Sequence, residues 1–122
     1  MGLTRITLKT EFDAVMDAGV RASTDHFALH VKAPAPHNRI GAVVPKRWAK
    51  RAVTRNTIRR QIYALAAHHV GPEPANERVV RLRKTFDTRA FPSASSLALK
   101  TAVRLELQQL FDKAETTPWD VC

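Results

Sequence analysis

The chain has 122 residues, of which 44% are hydrophobic and 25% are charged. This length and composition argue for one globular domain with a modest core and against intrinsic disorder. Lys and Arg outnumber Asp and Glu by 20 to 11, which gives a formal net charge of +9. A charge excess of this size predicts a polyanionic partner, and nucleic acid fits that description best.

Other cellular classes are disfavoured by what the sequence lacks. No apolar run approaches the roughly 20 residues that a membrane span requires. The first twelve residues, MGLTRITLKTEF, lack the apolar core of a signal peptide, so we expect a cytoplasmic protein. The only cysteine is Cys122, so an internal disulfide is impossible and a cysteine-based metal site is implausible.

The first predicted element is a short helix that begins at Thr10 and ends at Gly19. The Thr10 hydroxyl can cap the first turn, and Gly19 is typical of a helix stop. Phe12, Val15 and Met16 recur at helical spacing and therefore share one side of it. For Phe12 and Met16 two interpretations are equally open, namely contact with a binding partner and packing in the core.

Residues 26–31, HFALHV, alternate as a half-buried strand does. The residues predicted to face the core are Phe27, Leu29 and Val31. The residues predicted to point the other way are His26, Ala28 and His30. Two histidines on one face suggest a metal site, but no third ligand lies near them in sequence, so we predict none.

The most distinctive feature of the chain is a group of basic residues that follows a second apolar strand, residues 39–45. We call residues 46–60 the basic segment. Its Lys and Arg residues are Lys46, Arg47, Lys50, Arg51, Arg55, Arg59 and Arg60. No acidic residue occurs between residues 26 and 72 to neutralise them. The basic segment therefore predicts a surface that binds a polyanion. Trp48 lies within it, either to stack on a base or to anchor the segment to the core.

The second half of the basic segment continues into an amphipathic helix that reaches residue 69. An arc about 100° wide is apolar. Its residues are Ile58, Ile62, Leu65 and Ala66. The adjoining arc carries Arg55, Asn56, Arg59 and Arg60. Thr57 is predicted to lie at the edge of that basic arc, close to the polar side held by Gln61. An arginine there is predicted to tighten binding of the polyanion modestly.

The last third of the chain contains a strand, residues 78–83, and a final helix. The basic residues of the strand are predicted to lie on its more exposed side. The helix is predicted to start from caps at residues 93–96 and to run to about residue 113. Its apolar stripe is Leu99, Val103, Leu107, Leu110 and Phe111. Residues 116–122 are expected to form a frayed tail of this single domain. The result is an α+β two-layer sandwich with a small mixed sheet.

The sequence has none of the common catalytic motifs. It contains no GxxxxGK, GxSxG, CxxC or HExxH, and its acidic residues are scattered. We therefore predict no catalytic residue, no metal site and no cofactor bound by the protein alone.

The order of apolar strand, Lys-Arg, Ala-Val, Arg-Asn, basic pair and apolar helix resembles the protein subunit of bacterial ribonuclease P. Arg55 and Asn56 match the first two positions of that family's Arg-Asn-Arg signature, and Thr57 stands at the third. Residues 46–51, KRWAKR, stand where the family has a shorter, Gly-containing connection. The resemblance implies the order αβββαβα with a left-handed crossover around the basic helix. General rules would have favoured a right-handed one.

The resemblance also implies a function. The protein would be the non-catalytic subunit of an endoribonuclease that removes the 5′ leader of precursor tRNA, and the RNA subunit would carry the chemistry and its Mg²⁺. Its partners would be that catalytic RNA and precursor tRNA, with the protein itself a monomer away from membranes. The expected RNA-subunit-binding residues are Lys46, Arg47, Lys50, Arg51, Arg55, Asn56, Arg59 and Arg60. The expected leader-binding cleft is lined by Phe12, Met16, Ala28 and His30.

Three alternatives remain at this stage. A ribosomal or RNA-chaperone binding module would share every feature except the leader cleft. A helix-turn-helix DNA regulator would not explain the strands at residues 26–31 and 78–83. An independent enzyme lacks a motif to support it, and it alone would cut precursor tRNA without added RNA.

Overall fold

The computed structural model describes residues 3–69, 75–86 and 97–116, in which five strands form one mixed sheet beside three helices. The strands are β1 (Thr4–Arg5), β2 (Val20–Ser23), β3 (Phe27–Lys32), β4 (Arg39–Val43) and β5 (Glu77–Leu82). The helices are α1 (Lys9–Asp17), α2 (Ala52–Ala67) and α3 (Leu97–Thr116). The predicted α+β class is confirmed. The order differs from αβββαβα by the two-residue strand β1 at the start.

The strands lie in the order β1-β4-β5-β3-β2. β4 is parallel to both β1 and β5, whereas β3 is antiparallel to β5 and to β2. The parallel pair β4 and β5 is connected through α2, as a parallel pair requires a crossover. The left-handedness of this crossover stays a prediction.

Both faces of the sheet are covered. Val79 and Val80 are neighbours in β5 and therefore point to opposite faces. Val80 joins the main core beneath α2 and α3, whereas Val79 packs with Val15 of α1 and with Ile6. α1 thus adds a layer to the two that were expected, because the central strands are apolar on both faces. We call the side of the sheet that carries α1 the α1 face.

The main core is built from the apolar stripes of the two long helices. The predicted residues of α2, namely Ile58, Ile62, Leu65 and Ala66, are all buried. The predicted residues of α3 are buried as well: Leu99, Val103, Leu107, Leu110 and Phe111. Burial of each large side chain contributes about 1.5–3 kcal/mol. Helical periodicity therefore identified the main core correctly.

The ends of α1 differ in part from the prediction. The residue that precedes the helix is Leu8, and its backbone N–H donates to the Glu11 carboxylate at 3.3 Å. Thr10 is consequently inside the first turn and is not the cap. Gly19 has a φ of 99°, which confirms it as the residue that lets the chain leave the helix. The predicted caps of α3 at residues 93–96, and the tail after residue 116, lie outside the described residues.

Arg78 is the buried cation of the main core. Its guanidinium donates to the carbonyl oxygens of Ala66 and His69 at the end of α2, at 3.3 and 3.1 Å. Burial lowers the pKa of Arg78 to about 10, against the opposing charge of Glu115. The prediction that the basic residues of this strand share its exposed side is wrong. Arg78 and Arg81 are three residues apart, so they point to opposite faces.

Candidate nucleic-acid interface

The basic segment starts three residues after the end of β4 and ends in the third turn of α2. Most of its polar side chains are exposed, namely Lys46, Arg47, Lys50, Arg51, Asn56 and Arg60, and Arg59 is half-buried. Within the described ranges, no side chain of the basic segment forms an ion pair. The positive charges of the basic segment therefore have no acidic neighbour in ion-pair contact within the part of the chain that the structure describes.

Trp48 and Ala49 hold the start of the basic segment against the protein. Ala49 is buried in the main core, and Trp48 packs against the same core. Their backbone N–H groups both donate to the Pro45 carbonyl oxygen, at 3.0 and 3.1 Å. The Arg47 guanidinium lies 5.4 Å from the centre of the Trp48 ring system. These contacts favour the anchoring interpretation of Trp48.

Arg55 differs from the other basic residues of the segment. Its Nη1 donates to the carbonyl oxygens of Ala49 and Lys50, at 2.9 Å each. The guanidinium is therefore turned back onto the connection that precedes α2, where it fixes the shape of the basic segment. Arg59 is oriented by a longer bond from Nη1 to Asn56 Oδ1, at 3.4 Å.

Thr57 lies beside Gln61, as predicted, but its side chain is buried, which argues against the prediction that an arginine there would tighten RNA binding. Only 9% of the residue is exposed, and its hydroxyl donates to the Val53 carbonyl oxygen at 2.9 Å. It lines a narrow groove between the two long helices together with Gln61 and Lys100. The apolar arc of α2 is wider than predicted, because α3 packs beside it and covers position 57.

The four residues expected to line a leader-binding cleft all lie on the α1 face. Phe12 and Met16 are half-buried and pack around Val15 and Val79. The Phe12 ring covers Gly41 so closely that a Cβ added there would lie 2.3 Å from its Cε1 atom. Ala28 and His30 are only 2% and 5% exposed.

His30 is enclosed between the sheet and the end of α1. Its Nε2 accepts a bond from the Nε–H of Arg81 at 3.4 Å, which places the proton of the neutral ring on Nδ1. Nδ1 has no hydrogen-bond partner among the described residues. Burial lowers the pKa of His30, and the charge of Arg81 lowers it further. His30 therefore serves as a neutral acceptor.

His26 does not share this face, contrary to the predicted alternation. β3 begins at Phe27, so position 26 lies just outside the regular strand. The His26 ring stacks on Phe86, with centroids 4.0 Å apart, and its Nδ1 lies 2.7 Å from a carboxylate oxygen of Glu106 in α3. His26 and His30 therefore cannot share a metal ion.

Ion pairs that no sequence pattern predicted attach α1 to the sheet. Arg39 donates two bonds to the Glu11 carboxylate, at 2.6 and 3.0 Å, and a longer one of 3.4 Å to Glu77. The bonds from Arg39 lower the pKa of Glu11, and the same contact raises the pKa of Arg39. Because the partners are 28 and 38 positions apart, no local pattern could have paired them.

One group of side chains could offer atoms to a metal ion. His69, Asp112 and Glu115 have ligand atoms within 4.8 Å of one another. His69 Nδ1 lies 2.6 Å from a Glu115 oxygen, and the charge of Glu115 also offsets that of buried Arg78. These contacts within the protein account for the proximity of the three side chains without a metal ion. Within the described residues, no helix combines the length and apolarity of a membrane span.

Comparison with known proteins places the chain in a family. The family model for ribonuclease P matches residues 3–115. The ribonuclease P protein component of Paraburkholderia xenovorans (strain LB400) is 36% identical over 111 residues, which covers 88% of this chain and 78% of the relative. The component from Ralstonia pickettii (strain 12J) is 34% identical over 111 residues, which covers 90% of this chain and 78% of that relative.

Solved structures agree on the fold. The RNase P protein of Staphylococcus aureus superposes with a TM-score of 0.68 at 22% identity, covering 93% of this chain and 97% of that one. The RNase P protein of Thermotoga maritima, solved with 1-(4-fluorophenyl)-2-thiourea, gives a TM-score of 0.65 at 21% identity and covers 88% and 96%. The chain therefore belongs to the family of ribonuclease P protein components.

Proposed function

We propose that this chain is the non-catalytic protein subunit of ribonuclease P, which binds the catalytic RNA and the 5′ leader of precursor tRNA. Family membership supports a role in this ribonucleoprotein endonuclease of tRNA processing. The division of labour within the particle is our inference. The RNA subunit supplies the Mg²⁺ and the bond cleavage, and the protein, a cytoplasmic monomer before assembly, supplies binding.

The observation that carries the proposal is the unpaired positive charge of the basic segment. Six exposed polar side chains of this segment lie on the start of α2 and the connection before it, with no acidic neighbour in ion-pair contact among the described residues. Binding of Lys and Arg to phosphates releases the counterions that RNA has condensed, and this release drives association. The fixed Arg55 gives the patch a defined shape.

The α1 face supports the proposed binding of the 5′ leader. Phe12 and Met16 offer apolar atoms at the surface beside a sheet on which Ala28 and His30 are nearly covered. An extended RNA strand can run along such a surface, because stacking of bases on apolar side chains tolerates many sequences. The role of these four residues in leader binding stays a prediction.

Reconstitution with the catalytic RNA from the same cell tests the proposal. Processing of precursor tRNA is compared with and without the protein, and the protein alone serves as a third reaction. We expect faster cleavage with both components and no cleavage by the protein alone. Cleavage by the protein alone, or no effect on the RNA's activity, would contradict the proposal.

A charge variant then tests the docking surface. Lys50, Arg51, Arg59 and Arg60 are replaced by Gln, and a matched control replaces exposed Lys9, Lys32, Lys84 and Arg104. Each lost phosphate contact should reduce the slope of log affinity against log salt by about 0.7–0.9. We expect the reduction only in the first variant. Equal slopes in both variants would show that net charge alone governs binding.

A further inference from the structure

Arg81 is a basic residue of the α1 face that was not among the residues expected to bind RNA. In the sheet it is paired with Ala28 of β3 on one side and with Val43 of β4 on the other. Ala28 in turn pairs with Ser23 of β2. This row across four strands contains three short side chains, and Arg81 is the only long one.

The next row of the α1 face lies one pleat away, about 7 Å along the strands. It contains His30, Val79 and Gly41. Phe12 covers Gly41, and Val15 packs on Val79, so α1 occupies that row. Arg81 therefore stands at the margin of α1, beside the place where an RNA strand would pass.

The charge of Arg81 is not compensated by the described part of the protein. Arg39, on the same face, is held by Glu11 and Glu77. Arg81 is half-buried, and among the described residues it contacts no carboxylate. Its hydrogen bond goes to the neutral ring of His30. A partly desolvated guanidinium without a counter-charge favours binding of an anion.

We propose that Arg81 binds one phosphate of the leader strand at the margin of α1, and that His30 positions its guanidinium. The inference rests on the proposed function, because the leader is the RNA that would reach this face. Among the described residues the Arg81 side chain has no hydrogen bond other than the one from Nε, so both terminal nitrogens of its guanidinium can donate to phosphate oxygens. The basic segment then docks the catalytic RNA, and Arg81 fixes the register of the 5′ leader.

The test uses the reconstituted holoenzyme and precursor tRNA in which single leader phosphodiesters are replaced by uncharged methylphosphonates. Each position is compared in the wild type and in Arg81→Met, which keeps the length of the side chain and removes its charge. Lys32→Met, at the far end of β3, is the matched control. Mature tRNA reports binding that does not involve the leader.

In the wild type we expect one leader position at which the neutral linkage weakens binding about tenfold. Arg81→Met should weaken binding of the unmodified precursor by the same factor. A neutral linkage at that leader position should weaken its binding no further, and its affinity for mature tRNA should equal that of the wild type. If Arg81→Met remains as sensitive as the wild type at every position, the assignment of Arg81 is wrong. If the wild type binds precursor and mature tRNA equally, leader binding itself is refuted.

His30 is tested as a positioning residue by rescue. His30→Ala removes the acceptor for Arg81, whereas His30→Gln can present an amide oxygen near the position of Nε2. We expect His30→Ala to lose most of the sensitivity at the assigned phosphate, and His30→Gln to regain it. Equal sensitivity of His30→Ala and the wild type would remove His30 from the assignment. Both variants are compared above pH 7, where the wild-type ring is neutral.

Discussion

Phe12 illustrates how one side chain can belong to the fold and to a binding surface at once. Its ring occupies the space where a Cβ of residue 41 would be, so α1 approaches the sheet only because that position is glycine. Removal of the Phe12 ring would leave a cavity as well as a lost RNA contact. A binding defect at Phe12 is therefore ambiguous.

Thr57 provides the clearest prediction at the scale of single residues. Because Thr57 is buried between α2 and α3 and bonded to Val53, an arginine there has to displace its surroundings. We expect Thr57→Arg to destabilise the protein by about 1–3 kcal/mol, as overpacking does, and not to tighten RNA binding. The free energy of unfolding in urea measures the effect.

The neighbouring position is the control. Asn56 lines the same groove but is exposed, so Asn56→Arg adds the same charge at a position where the longer side chain can extend into solvent. It should leave stability nearly unchanged. A stable Thr57→Arg protein with tighter RNA binding would mean that position 57 faces the RNA after all.

At the scale of elements, the sequence predicted what depends on local periodicity. The buried stripes of α2 and α3 follow from apolar spacing, and β3 follows from alternation, whereas β5 was predicted as a strand without it. It could not predict which helix covers which face of the sheet. That depends on strand order, and β4 and β5 become neighbours only through pairing over more than 30 positions. The grouping of Arg78 with Arg81 was a separate error, because residues three apart in a strand point to opposite faces whatever the strand order.

The attachment of α1 to the sheet predicts a dependence on pH. The bonds from Arg39 lower the pKa of Glu11 below its ordinary value of 4.5. A carboxylate with a lowered pKa stabilises the folded state above the pKa of the unfolded chain, and this stabilisation is lost as the pH falls through the native value. We therefore expect α1 to loosen below about pH 4.5. Hydrogen-exchange protection of the α1 amides measures the loosening.

Two variants separate this contact from general acid effects. Glu11→Gln should lower the protection of α1 at pH 7, because the charge-assisted bonds to Arg39 are lost. Asp13→Asn, on the same helix, removes only an exposed pair with Lys9 and should have little effect. Equal protection in both variants would show that apolar packing alone holds α1.

At the scale of the whole molecule, the positive and negative charges have different surroundings. Acidic side chains of the described residues have polar partners at several places: Glu11 pairs with Arg39, and the carboxylates of Glu106 and Glu115 lie against the rings of His26 and His69. The basic segment carries seven cations within fifteen positions and no ion pair among the described residues. Without RNA, repulsion within this segment opposes folding; with RNA, the same charges drive assembly.

This imbalance predicts that salt stabilises the free protein. Charges within the basic segment lie close together, and screening shortens their reach from about 10 Å at 0.1 M salt to about 3 Å at 1 M. The melting temperature of the free protein should therefore rise with added NaCl. The Lys50, Arg51, Arg59 and Arg60 to Gln variant should melt higher than the wild type at low salt and should respond less to NaCl. The control that replaces Lys9, Lys32, Lys84 and Arg104 should keep most of the wild-type response, because those residues lie apart in the chain. A melting temperature that falls with salt would instead show that ion pairs such as Arg39 with Glu11 outweigh the repulsion in the basic segment.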